Sequence, residues 1–151
     1  MTAVVSPGEL DLRQFLKAGD RIVMGQACGE PTTLVETLIA QGTEIGGLGV
    51  FIATSFSGLF TPETAASFRL SSMGAIGALR SMTKAHALDV VPVHASQVGP
   101  LITAGVIPCD VAMIQVSPAD AEGNHSCGLI SDYVRAAVDK GVTFFDTAEA
   151  Y

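Results

Sequence analysis

Two stretches of this chain hold residue types that can do chemistry at close spacing. SPADAEGNHSCG at positions 117–128 gathers Asp120, Glu122, Asn124, His125, Ser126 and Cys127. Such a set can orient a polar substrate through hydrogen bonds. It directly follows the apolar run Val111–Val116, and open α/β sheets place their binding loops beyond strand carboxyl ends. The spacing is not that of a zinc site such as HExxH. No nucleophile elbow is present, so no Ser-His-Asp triad is assigned. A loop held by Asx turns, with Gly123 and Gly128 at its bends, would use the same residues without a substrate.

The second stretch is GQACGEP at positions 25–31, between a strand-like run and a helix start. Backbone N–H groups in such a loop can hold a carboxylate, a thioester oxygen or a phosphate. It lacks the Gly-Lys-Ser/Thr of a P-loop and the GxGxxG of a dinucleotide site. Gly25 and Gly29 can instead serve a purely steric turn. No base can be assigned to Cys28, so a buried structural thiol is expected there. Glu30 and Pro31 lead into the helix, and Glu30 can act as its cap or face a ligand. His94 follows a third apolar run and can reach the same sheet edge, although a structural histidine fits equally well. His86 needs no role. Asp146 lies five residues before Tyr151, and an acid beside a tyrosine can form a proton-donor pair.

These residues need a frame that delivers them to one place. Asp11–Lys17 reads as one or two helical turns with Leu12, Phe15 and Leu16 inward. Strands are expected at Arg21–Met24, Leu48–Ala53, Val90–Val93, Val111–Val116 and Val142–Phe145. Leu34, Val35, Leu38 and Ile39 make a helical stripe, closed by Gly42. Residues 54–78 read as a long excursion with short helical pieces, of the kind that binds something or packs on a second domain. Further helices are expected over Ala78–Ala87 and Gln97–Ala104. Another is capped by Ser131, with Tyr133, Val134, Ala137 and Val138 inward. The alternation implies an α/β fold of three layers around a mainly parallel sheet. Residues 1–8 read as a flexible lead-in.

Composition narrows the classes of function. The chain has 151 residues, enough for one domain with a real core. A net charge of −7 and the lack of any Lys/Arg run argue against nucleic-acid binding. Charged residues are only 15%, low for a globular surface. The three cysteines, Cys28, Cys109 and Cys127, are too far apart for CxxC chemistry, and no metal site is expected. No secretory leader or membrane span is read, so a cytoplasmic, reducing setting is expected.

Residues 9–138 resemble the amino-terminal domain of the acetyl-CoA hydrolase/transferase family, which includes acetate and 4-hydroxybutyrate CoA-transferases. The likeness rests on LKAGDRIVMGQACGEPTTLVETL at 16–38, VPVHASQVGPLI at 91–102 and DVAMIQVSPADAEGNHSCGLISDYVRAAV at 110–138. It implies a CoA-transferase-like single domain that is part of an enzyme transferring CoA between an acyl-CoA and a small carboxylate, or hydrolysing the acyl-CoA, and that is inactive as an isolated chain. The CoA thioester would be a substrate, with no tightly bound cofactor. It also implies a glutamyl-CoA intermediate whose glutamate belongs to a missing C-terminal domain, so no catalytic residue is assigned here. Gly25, Gly29, Glu30, Pro31, His94, Ser117, Asp120, Gly123, Asn124, Ser126 and Gly128 are expected to contact substrate or shape the active-site wall. A homo-oligomer is compatible with the likeness. So is a non-catalytic remnant or partner-binding subunit. GVTFFDTAEAY at 141–151 departs from the family and resembles a short active-site strand of aldo/keto reductases, with Asp146 and Tyr151 at matching positions. The tail from 139 reads as a fusion, frameshift or truncation, or as a chance likeness where both families put a strand after a helix, and an aldo/keto reductase fragment is the third reading.

Overall fold

The computed structural model describes residues 5–141 and 143–148. Its centre is a six-stranded sheet, β1 (Arg21–Met24), β2 (Gly49–Phe51), β3 (Arg69–Ser72), β4 (Asp89–Val90), β5 (Val111–Val116) and β6 (Thr143–Ala148). The spatial order is β4-β3-β2-β1-β5-β6, and all five neighbouring pairs run parallel. The α/β, parallel, single-domain reading holds.

Alternation along the strands divides the core into two layers. Ile22, Met24, Val50, Ile52, Leu70, Val111 and Met113 face one side. There they meet Leu34, Val35 and Leu38 of α1 (Thr32–Ile45), Ala65 of α2 (Pro62–Ala65) and Met82 of α3 (Arg80–Lys84). Val23, Phe51, Ala53, Ala112 and Ile114 face the other. They meet Val98 and Ile102 of α4 (Ala95–Thr103), and Val134 and Ala137 of α5 (Val134–Asp139). Burying each large aliphatic side chain contributes about 1.5–3 kcal/mol.

Several local expectations are corrected. The segment Asp11–Lys17 contains only a 3-10 turn, Leu12–Gln14. Leu12 and Leu16 are buried, but Phe15 is 40% exposed. The excursion over 54–78 contains α2 and the unanticipated strand β3. Gly42 does not end α1. The helix runs on to Ile45, and Gly46, at φ 83°, closes it by donating its N–H to the Gly42 carbonyl.

Gly42 is instead a packing position. A Cβ built there would lie 2.4 Å from Cε1 of Phe68. Phe68 is held edge-on against Phe60 with centroids 6.3 Å apart. In an open helix Gly→Ala stabilises by about 1 kcal/mol, whereas overpacking costs about 1–3 kcal/mol. The clash decides the sign here. Gly42→Ala is expected to lower stability by about 1 kcal/mol in urea unfolding, and adding Phe68→Leu should turn the same change into a gain.

Candidate functional site

Parallel strands send all their carboxyl ends to one edge, so the loops after β1, β2, β3 and β5 emerge together. Loop 25–31 leaves β1 with the Gly25 N–H donating to the Met113 carbonyl of β5, 2.9 Å away. It then turns through a 3-10 step at Ala27–Gly29. Its glycines answer to close approach. A Cβ on Gly25 would sit 2.2 Å from the Gly29 carbonyl oxygen, and one on Gly29 would sit 2.6 Å from Cγ2 of Ile130. The Gln26 side-chain amide donates to the Asp132 carboxylate. The loops after β1 and β5 are therefore in direct contact, as expected of a shared edge.

Glu30 is buried, 3% exposed. It does not cap α1, whose N-cap is Pro31. One carboxylate oxygen accepts from the Ser55 and Ser57 hydroxyls at 2.9 and 2.8 Å. The other accepts from the Phe56 and Ser57 N–H groups at 2.8 and 3.1 Å. The turn after β2 is thus strapped to the loop after β1. It leaves Phe56 68% exposed. On its far side Ser55 forms a bridge with Gly77 in the loop after β3.

The loop after β5 folds largely upon itself. The Ser117 N–H donates to the Ser126 carbonyl at 2.8 Å, and the Ser126 N–H donates to the Ser117 hydroxyl at 3.0 Å. The Ser126 hydroxyl accepts from the Gly128 N–H. Asp120 accepts from the Glu122 and Asn124 N–H groups at 3.0 and 2.8 Å, and from the Asn124 amide. These donors, Asn124 first, hold its carboxyl below the usual carboxylate range. His125 Nδ1 lies 2.9 Å from the Ser117 carbonyl. Gly123 and Gly128 take φ values of 82° and 63°.

Behind this edge sits Tyr133, 5% exposed. Its hydroxyl donates to the Met24 carbonyl at 2.6 Å and accepts from the Ala53 N–H at 3.2 Å. Its ring stands edge-on to Phe51, with centroids 5.7 Å apart. Burial raises its phenol above the ordinary range.

The structure places Gly25, Gly29, Glu30 and Pro31 at the same sheet edge as the connection that carries Ser117, Asp120, Gly123, Asn124, Ser126 and Gly128, the two meeting at Ile130 and Asp132. His94 is exposed at the N-cap of α4. It follows β4, which β3 and β2 separate from β1. Cys28 is exposed rather than buried, because the Ala27–Gly29 turn lifts it from the sheet edge. Sequence reasoning missed Ser55, Phe56, Ser57 and the bridging role of Tyr133. The run Ser55-Phe56-Ser57-Gly58 just beyond a strand end was the available signal. Asp146 pairs with Ile114 through the β-ladder, while its side chain and Tyr151 lie outside the described residues. Among the described residues, no three His, Cys, Asp or Glu side chains are grouped to hold a metal ion. No described helix is long and apolar enough to cross a membrane.

Two measurements check this arrangement. Tyr133→Phe leaves a buried carbonyl and N–H without that partner, and should cost about 1–3 kcal/mol. Because the folded phenol holds its proton more tightly than a free one, its stabilisation is present below pH ~10 and lost above it. Wild-type stability should therefore fall by about 1 kcal/mol more than that of Tyr133→Phe between pH ~9 and ~11. The thiols should also separate. Burial, with the Asp110 charge adding to it, pushes Cys109 up to about 11, and the thiolate is the reactive form. Iodoacetamide at pH ~8 should label Cys28 first and reach Cys109 only after unfolding.

The chain matches the acetyl-CoA hydrolase/transferase N-terminal domain over residues 3–143. It is 31% identical over 121 residues to the 4-hydroxybutyrate coenzyme A transferase of Clostridium kluyveri, covering 79% of this chain and 28% of that protein. Among solved structures, RipA from Yersinia pestis superposes with a TM-score of 0.82 at 23% identity, over 94% of this chain and 35% of that one. A 4-hydroxybutyrate CoA-transferase from Porphyromonas gingivalis gives a TM-score of 0.59 at 22% identity, over 90% and 37%. The chain thus spans about a third of the length of the solved relatives. The structural likenesses show the fold, and the extended sequence match shows the lineage: this chain belongs to the acetyl-CoA hydrolase/transferase family and corresponds to its N-terminal domain.

Proposed function

We propose that this chain forms one wall of an active site that moves CoA between an acyl-CoA and a small carboxylate, or hydrolyses the acyl-CoA. The observation that carries this reading is the junction, at one sheet edge, of loop 25–31 with the far end of the connection that follows β5. They are joined by the Gly29–Ile130 contact and the Gln26–Asp132 hydrogen bond. These are two of the stretches on which the family resemblance rests. The Gly25, Ala27, Gly29 and Glu30 N–H groups are engaged within the protein, so a thioester oxygen held by loop 25–31 would take those of Gln26 and Cys28, and the self-bonded loop 117–128 gives the opposite side a fixed shape.

The chemistry in this reading is covalent, through a glutamyl-CoA thioester. Its glutamate lies in the portion of the relatives that this chain does not span. Glu30 is engaged by four donors, and Glu122 stands exposed on the loop after β5, so neither is given the nucleophile's role. Exposed apolar side chains on three edge loops support a missing covering domain. Phe56 is 68%, Ile76 44% and Leu129 88% exposed. Acetate and 4-hydroxybutyrate are the acceptors to try first, and a cytoplasmic setting suits a CoA-thioester substrate.

Two assays test the reading. Acetyl-CoA should slow alkylation of Cys28. Unchanged Cys28 labelling at saturating acetyl-CoA counts against a CoA site here. The purified chain should give no turnover with acetyl-CoA plus acetate or 4-hydroxybutyrate, and no CoA adduct by intact mass. A CoA adduct mapped to one of its own glutamates would show that the nucleophile is in this chain after all.

A further inference from the structure

We propose that Glu30 is a positioning residue: it does not touch substrate but fixes the Ser55–Gly58 turn as the second wall of the site. This deepens the acyl-CoA reading and rests on it. The geometry is specific. Oε1 takes both serine hydroxyls and Oε2 takes two successive backbone N–H groups. Each oxygen is filled by two donors from a single turn, and the side chain is 3% exposed.

The turn has few other anchors near its tip. Its start is bridged to Gly77, and the Ala27 N–H donates to the Thr54 carbonyl at 2.8 Å. Through Ser57 the described hydrogen bonds beyond Ser55 are those to Glu30 and the one the Leu59 N–H donates to the Ser57 hydroxyl, and the Phe56 ring edge lies beside Gly77. Four hydrogen bonds from one carboxylate therefore set the direction in which Phe56 leaves the turn. Gly58 permits the bend with φ at 70°. Phe56, held outward with its ring edge beside Gly77 of the loop after β3, supplies an apolar surface for the acyl or pantetheine part of a thioester. Glu30 is adjacent to Pro31, so a shift in either loop is passed directly to the other.

A glutamine at position 30 keeps the shape but turns an NH2 group toward one of the two donor pairs. In the full chain, Glu30→Gln should speed amide exchange at Phe56 and Ser57 by at least about tenfold, leaving Ile22 and Ile114 unchanged. At a temperature where both proteins are fully folded, acetyl-CoA affinity should drop by about tenfold. In a Phe56→Ala background the same change should have little further effect, because the clamp acts through the turn. A purely structural glutamate would lower Tm but leave affinity unchanged, or give additive effects in that cycle. If Glu30→Gln does not fold, Ser57→Ala provides the second arm. It should raise exchange at Phe56 in the same direction by a smaller factor.

Unchanged exchange at Phe56 and Ser57 overturns the clamp. Faster exchange with unchanged acetyl-CoA affinity also overturns the positioning role, while leaving the proposed function standing. Absence of acetyl-CoA binding by the wild-type chain removes the acyl-CoA reading and, with it, the substrate role given to Glu30. The exchange data then still report the clamp on their own.

Discussion

Where β1 and β2 run out of ladder, their backbone groups need partners, and the Tyr133 hydroxyl supplies them. It bonds the last carbonyl of β1 and an N–H just past the end of β2, from a ring packed on Phe51. An unpaired buried backbone group would cost more than the bond itself returns. This bridge lets two strands part in the interior rather than at the surface. It also fixes where α5 begins relative to β1, and so where Ile130 and Asp132 meet the glycine loop. The phenol thus anchors the base from which the edge loops depart.

Two carboxylates of the edge, Asp120 and Glu30, do different kinds of work. Asp120 organises residues within its own loop. Glu30 reaches across to a loop from another strand. One sets local shape and the other sets the distance between walls. Nothing in residue type separates them, since both are acidic residues beside glycine-containing turns.

That contrast marks what could be read from the residues in order. The parallel sheet was legible because β1, β2 and β5 are apolar on both faces, as strands covered by helices must be. The strand β3 was not. Its sequence, Arg69-Leu70-Ser71-Ser72, looks like loop. It forms a strand because Ser72 is buried with its hydroxyl donating to the Ala53 carbonyl, 3.0 Å away. Arg69 and Ser71 face a groove of about 310 Å³ that no described helix fills. Loop 117–128 stood out by its polar density, and loop 25–31 by its glycines between a strand end and a helix start. The Ser55–Ser57 turn was passed over because its partners lie 25 residues and more away in sequence. Hydrogen bonds of that span leave no periodic trace. Gly42 misled for a related reason: a glycine late in a helix resembles a stop, and only Phe68 shows that it is a socket.

The strand order has a consequence for how the chain comes to be folded. β1 lies between β2 and β5. Its pairing with β2 joins neighbours in the chain, but its other edge waits for Val111–Val116. The Arg21–Asp110 pair that marks this junction spans 89 residues. During synthesis at about 5–20 residues per second, that apolar edge stays unpaired for several seconds. Long-range parallel pairing is slow to nucleate because loop closure comes before the contacts that reward it. A strand paired on both edges in the finished molecule is therefore open to wrong partners along one of them while the molecule is being made.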